Sequence, residues 1–292
     1  MVSELLAQVE ATLDPARPTG VQVLAYGEVS AALIVPGLEG YVAKRMSGFR
    51  DAEMAAAYMD VVEQYIAVLT DSGVPVVPTE LIPVTRAGRP PVVYLVQPLM
   101  SDLGNAMLHT AGDEWLEVAL KQVLDLVQTL HDRTGQPQVA VDAQLSNWSF
   151  ASSTPTLIDV GTPFMRIDGR HLFDQEILLS AIPPGARAYY RRTGTVGGYM
   201  DDYFQPRLVT VDLLGNFIKE GVAARLLSGI KLANSWLTRH GYEPVSRSQV
   251  EEYYKQDAAT LELFLRARRL DRAVKRALGR EYDFLLPGPV KR

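Results

Sequence analysis

The chain contains no cysteine. Disulfides, thiolate nucleophiles and thiolate metal ligands are therefore excluded, and the composition suits a reducing cytoplasm. Histidine is scarce. The four present, His109, His131, His171 and His240, stand in no metal-ligating spacing such as His-Glu-x-x-His. No serine lies in a Gly-x-Ser-x-Gly elbow, so a serine-hydrolase triad has no support. No apolar run is long enough to span a bilayer, and the first residues lack the basic start and unbroken apolar core of a signal peptide. Heptads, repeats and low-complexity blocks are missing as well. Positive charge is not in excess: the formal net charge of -5 argues against a general nucleic-acid binder.

What remains is a globular composition, 47% hydrophobic and 22% charged over 292 residues, a size that suits one two-lobed enzyme or two domains. Residues 3–13 read as a short amphipathic helix stopped by "DPARPTG". "VQVLAYGEVSAALIVPG" reads as β segments about Gly27, and "EGYVAKRM" as a further strand. Over 51–70 the apolar positions Met54, Tyr58, Val61, Val62, Tyr65, Ile66 and Leu69 recur at helical intervals, with Gly73 as the stop. "VPVVPTELIPV" and "PPVVYLVQPL" read as strands about the turn "TRAGRP". A strong helix pattern follows over 113–132, and the rest is mostly helical, with one small β insert. The expected fold class is α+β: a β-rich first third with one helix, then a helical two-thirds, with a boundary near 97–102.

The β insert carries the chemistry. In "QVAVDAQLSNWSF" an apolar run delivers Asp142, and Asn147 follows five positions later. "PTLIDVGTPF" repeats the plan with Asp159 and then Gly161. Each motif taken singly is most often a turn or strand cap. Together, with a hairpin joining the two strand mouths, they offer what phosphoryl transfer needs: hard oxygen ligands for Mg²⁺ and a carboxylate to align a hydroxyl. On this expectation Asn147 and Asp159 hold the metal, Asp142 accepts the hydroxyl proton, and Gly161 permits a sharp turn.

The spacing Asp-x-x-x-x-Asn followed by Asp-x-Gly resembles the catalytic and metal-binding loops of the protein-kinase-like fold, in the flavour of its small-molecule branch, the aminoglycoside phosphotransferase and choline kinase-like enzymes. The resemblance covers about residues 20–165 in order. It implies a two-lobed fold, with a small β-rich N-lobe over 1–98 and a larger, mainly helical C-lobe over 99–292. It places Gly27, Glu28 and Ser30 on the phosphate-covering hairpin and Lys44 of "YVAKRM" on the nucleotide phosphates. It implies a carboxylate on helix 51–70 that pairs with Lys44, Glu63 first and Glu53 as the substitute. At the hinge it implies that the Pro98 carbonyl and the Met100 N–H meet the adenine ring. The implied activity is transfer of a phosphoryl group from ATP, with Mg²⁺, to a hydroxyl of a small molecule (an aminoglycoside-like compound, a sugar or another alcohol) or of a peptide Ser/Thr. No nucleic-acid or membrane partner is expected. One departure stands out: the family usually carries His two residues before the catalytic Asp, and this chain has Ala140. That departure and the glycine-poor hairpin leave an alternative, a kinase-shaped pseudoenzyme that binds nucleotide or serves as a scaffold. A ligand-binding protein unrelated to kinases, its acids mere strand caps, is the third.

Two further segments attract notice. "DDYFQPRLVTVDLLGNFIKEG" concentrates Asp202, Arg207, Asp212, Asn216 and Lys219; a salt-bridged amphipathic helix is favoured there over a substrate wall, and neither Asp202 nor Asp212 is placed in the site. "RARRLDRAVKRALGR" is a cationic amphipathic helix, expected to be a solvated face, with docking of an acidic partner as the alternative.

Overall fold

The computed structural model describes residues 1–287. Helix α1 (Val2–Thr12) leads into strands β1 (Gln22–Tyr26), β2 (Ser30–Ile34) and β3 (Tyr41–Met46); helix α2 (Ala52–Asp71) follows, then β4 (Glu80–Arg86) and β5 (Arg89–Pro98). The five strands form one antiparallel sheet in the order β1-β2-β3-β5-β4. The second expected strand run is split: within 74–79 Val76 makes a single parallel bridge to Leu157, and pairing within the five-stranded sheet begins at Glu80.

The sequence of β5 explains the layering. Strand side chains alternate between faces, and β5 lies between β3 and β4, so both of its faces are covered. Val92, Tyr94 and Val96 join Leu6 and Leu13 of the α1 region on the outer face, while Val93 and Leu95 face α2. The unbroken run "VVYLV" is thus a doubly buried strand, and each fully buried aliphatic side chain stabilises the fold by about 1.5–3 kcal/mol. The same alternation splits the Lys44-Arg45 pair on β3. Arg45 goes outward, where it is buried (1% exposed) against Glu10 of α1, with the Tyr94 hydroxyl also donating to Glu10. Burial would raise the Glu10 carboxyl, but Arg45, Tyr94 and Arg86 outweigh it and hold the group below its ordinary range. Lys44 goes to the α2 side.

Helix α2 starts where Asp51 caps the Met54 N–H at 2.9 Å and stops at Gly73, whose φ of 82° is in the left-handed region. Its inward face, Met54, Tyr58, Val62, Tyr65 and Leu69, belongs to a core that continues into the C-terminal part.

That part is mainly helical: α3 (Gly104–Thr110), α4 (Asp113–Asp132), α5 (Glu176–Ser180), α6 (Pro184–Thr193), α7 (Thr195–Asp202), α8 (Pro206–Lys219), α9 (Leu226–Arg239) and α10 (Arg247–Ala277). A capping box of Ser246 and Gln249 opens α10. Helix α8 packs on α9 and α10, and α9 packs on α4. Between α4 and α5 lie the short strands β6 (Gln138–Ala140), β7 (Trp148–Ser149), β8 (Thr156–Leu157), β9 (Phe164–Ile167) and β10 (Arg170–His171). The expected single hairpin is here two interleaved ladders, β6 with β9 and β7 with β8. The result is an α+β fold, with a β-rich N-terminal sheet and a mainly helical remainder, as the sequence pattern implies. Among the described residues no helix is long and apolar enough to cross a membrane.

Candidate active site

The interleaved ladders place two loops side by side. Asp142 and Asn147 lie between β6 and β7, and Asp159 and Gly161 lie between β8 and β9. Asn147 ends a single 3₁₀ turn, and its carbonyl accepts the Ile158 N–H at 2.9 Å, so the residue before Asp159 is laced to Asn147. Lys44 reaches across from β3, and its ammonium pairs with the Asp159 carboxylate. Asp159 Oδ1 also accepts the Gly161 N–H at 3.0 Å. Burial would raise this carboxyl, but Lys44 and the Gly161 N–H together hold it below its ordinary range.

Gly161 serves a purpose other than the expected one. It is not among the glycines of positive φ. A Cβ there would stand 3.1 Å from Lys44 Nζ and 3.5 Å from Asp159 Oδ1, so the glycine admits the lysine. Gly27 is similar: its N–H closes the hairpin on the Ser30 carbonyl at 2.9 Å, and a Cβ would fall 2.5 Å from Ser30 Oγ.

Asp142 is half-buried, and its Oδ1 accepts the Gln144 N–H at 2.9 Å. Burial first, and the negative charge of Asp212 second, push its carboxyl up to about 7. Asp212, half-buried on α8, is likewise raised by burial, against the hydrogen bonds it accepts. Gln144 binds both acids, since its Nε2 donates to Asp212 Oδ2 at 3.0 Å. Tyr253 of α10 donates to Asp212 Oδ1 at 2.9 Å, and Asn216 Nδ2 donates to Gln144 Oε1 at 2.6 Å. Lys219 Nζ lies 3.4 Å from the same Gln144 oxygen. Asp212, Asn216 and Lys219 recur at i, i+4 and i+7, on one face of α8. The segment favoured above as a salt-bridged surface helix is thus a wall beside Asp142, and the spacing Asp-x-x-x-Asn-x-x-Lys was the signal for it. Asp202 remains exposed, and Arg207 binds the carbonyls of Glu243 and Pro244.

The expected partner of Lys44 on α2 is corrected. Glu63 and Glu53 are both exposed. Glu63 stands one residue past Val62, about 100° around the helix from the buried stripe. What α2 sends inward instead is phenol. The Tyr58 hydroxyl donates to the Gly161 carbonyl at 3.0 Å, and the Tyr65 hydroxyl donates to the Ala140 carbonyl at 2.7 Å. Burial pushes both hydroxyls well above their ordinary range. Tyr65 therefore anchors the backbone at Ala140, two residues before Asp142. Where the hinge is expected, Pro98 and Met100 are half-buried; Pro98 pairs with Tyr41, and the Leu99 N–H is taken by the Gly40 carbonyl at 2.8 Å.

The donor set fits Mg²⁺. Lys44 and the Gly161 N–H occupy Asp159 Oδ1. Among the described residues, Asp159 Oδ2 and the Asn147 side chain carry no hydrogen bond. Both supply hard oxygen, and Mg²⁺ accepts few protein ligands because it retains water and phosphate oxygens.

Solved structures similar to the chain include aminoglycoside 2'-phosphotransferase-IIIa in complex with GDP, 12% identical over 79% of this chain and 95% of that one, TM-score 0.35. A mutant of that enzyme with GDP is 14% identical over 89% and 97%, TM-score 0.37. APH(2")-IIia with GDP and kanamycin is 13% identical over 79% and 96%, TM-score 0.36. At TM-scores this low the likeness carries no inference about activity. No curated protein matches the chain. The model of a family described as "Family of unknown function (DUF6206)" matches residues 4–272, and the chain belongs to that family.

Proposed function

We propose that the protein is an ATP-dependent phosphotransferase with a hydroxyl acceptor, a small molecule such as an aminoglycoside-like compound, a sugar or another alcohol, or a peptide Ser/Thr. Residues 1–98, with the returning segment about Asp283 and Leu285 packed against them, form its nucleotide-covering lobe, and most of 99–282 its acceptor lobe. The observation that carries this reading is the Lys44–Asp159 pair, set beside the loop that bears Asp142 and Asn147. Lys44 binds phosphate oxygens, Gly27 and Ser30 cover them, and Pro98 and Met100 offer a carbonyl and an N–H to the base. Asn147 and Asp159 would hold Mg²⁺, which neutralises charge on the transferring phosphoryl group. Asp142 orients the acceptor hydroxyl and takes its proton. A carboxyl raised to about 7 is near the optimum for a general base at neutral pH. Tyr58 and Tyr65 hold the two loops in register by their carbonyls.

The test is transfer of labelled phosphate from Mg·ATP to a panel of alcohols, antibiotics and peptides, with wild type and Asp142→Asn side by side. Transfer that survives the substitution unchanged removes Asp142 from the mechanism. A nucleotide-binding or scaffold role is the second reading, and the exposure of Glu53 and Glu63 favours it, because no α2 carboxylate orients Lys44. Millimolar ATP or GTP with Mg²⁺ or Mn²⁺ that produces no thermal shift selects the scaffold without bound nucleotide.

A further inference from the structure

The cationic run at 266–280 does not form a uniformly solvated face. Of its seven lysines and arginines, Arg268 alone is buried, at 1% exposure. Its Nη1 donates to the Glu28 backbone carbonyl at 2.6 Å, and Glu28 sits at the tip of the β1–β2 hairpin. Its Nε donates to the Tyr282 hydroxyl at 3.2 Å. The guanidinium carbon lies 5.0 Å from the Phe264 ring centre and 4.9 Å from that of Phe284. No carboxylate oxygen pairs with it among the described residues, and burial pulls its pKa down.

The socket is built by the chain end. After α10 the chain turns back across the N-terminal sheet. There Asp283 Oδ1 accepts from Arg86 at 2.8 Å, the Asp283 carbonyl accepts from Arg45 at 2.7 Å, and Leu285 enters the outer core. α10 itself packs along α8, the wall of the candidate site. One continuous segment therefore holds α8 at one end and the sheet at the other, with Arg268 reaching the hairpin between them.

The hairpin needs such a hold. β1 is an edge strand paired only with β2, and four of its five residues are exposed. An edge strand with so little apolar burial is marginal by itself and opens readily, although β2 is held by β3. A buried guanidinium with no direct ion pair is costly; the Glu28 carboxylate acts on it at longer range, and its one strong hydrogen bond is spent on that turn. Arginine suits the place because its planar fork donates in two directions while its faces stack on rings; a lysine ammonium does one of these at a time.

We propose that Arg268 is a positioning residue that locks the β1–β2 hairpin over the cleft from α10, and that this lock sets nucleotide affinity. The affinity part rests on the phosphate-covering role proposed for Gly27 and Ser30; the lock itself does not. The test is hydrogen exchange on the ligand-free, full-length protein, together with calorimetric binding of Mg·ATP, for wild type, Arg268→Met and Arg268→Lys. Met keeps packing against the two rings and removes the donors. The expected result is exchange over residues 22–34 about tenfold faster in Arg268→Met, a loss that suits one charge-assisted hydrogen bond. Exchange in α4 and α9 stays at the wild-type rate, Mg·ATP binds about tenfold more weakly, and Arg268→Lys falls between. Hairpin exchange unchanged, or accelerated equally throughout the chain, overturns the lock. Should Arg268→Met fail to fold, Arg268→Lys decides by the same comparison. An open hairpin with unaltered Mg·ATP affinity overturns the affinity claim. Wild-type protein that binds no Mg·ATP overturns the phosphate-handling reading instead, and hairpin exchange then still supports or refutes the lock.

Discussion

Replacing Asp142 by Asn should stabilise the protein at alkaline pH while abolishing transfer. The carboxyl has an ordinary value of 3.8 and is raised to about 7 in the fold. In the unfolded chain it ionises near pH 4, but in the folded protein it resists until near 7. Its contribution to stability is therefore complete below about pH 4 and is lost as the pH rises through about 7. Roughly 3 units at about 1.4 kcal/mol each set a ceiling of about 4 kcal/mol. Asp142 is only half-buried and shares its field with Asp212, so a loss of roughly 1–3 kcal/mol is expected after solvent screening. The Asn side chain keeps an oxygen for the Gln144 N–H and does not titrate. Urea denaturation of both proteins between about pH 4 and pH 8 reads the difference. The advantage of Asp142→Asn should grow from about pH 4, reach half its value near about pH 5.5 and level off above about pH 7. An offset that does not change with pH refutes the claim that this carboxyl is strained by burial and by its acidic neighbour. Such a cost in stability is what the proton-accepting role proposed for Asp142 would incur.

Two other outcomes follow from the same geometry. Tyr65→Phe removes the hydrogen bond that the Tyr65 hydroxyl donates to the Ala140 carbonyl; it should cost about 0.5–1.5 kcal/mol in denaturation and lower kcat more than it raises KM for ATP, because the loop that bears Asp142 loses its anchor. Glu10→Gln strands Arg45 on the outer face of the sheet and should cost about 3–5 kcal/mol near neutral pH. The Glu10 carboxyl is held below its ordinary value of 4.5, so wild-type stabilisation is present above that value and disappears as the pH falls through the lower, folded one. The gap between the two proteins should accordingly narrow in acid, and a gap that stays constant contradicts the pairing.

Much of the candidate site was legible because its residues are near one another in sequence or carry a spacing with a mechanism. Asp142, Asn147 and Asp159 lie within one short β insert, and Lys44 lies on a strand whose apolar neighbours give its face. Helix 51–70 and its stop at Gly73 could be read from periodicity and a left-handed terminus. Glu63 was misassigned because sequence distance to the next turn does not fix helical phase; Val62 and Tyr65 are the buried neighbours, and Glu63 falls between them on the outside. Tyr58 and Tyr65 look like ordinary core aromatics until the carbonyls they meet are known. The same holds for Gln144 and Asp212, whose contact joins residues 68 positions apart.

From its sequence alone, this protein's strands, helices and oxygen-bearing loops were determined, because alternation, helical period and turn chemistry are local properties of the backbone. Tertiary structure alone decided which of its charged groups are buried together. Arg45 with Glu10, Arg268 with the Glu28 carbonyl, and Asp142 with Asp212 each join segments distant in the chain. The strength of those contacts depends on the exclusion of water, and only the packed fold excludes it.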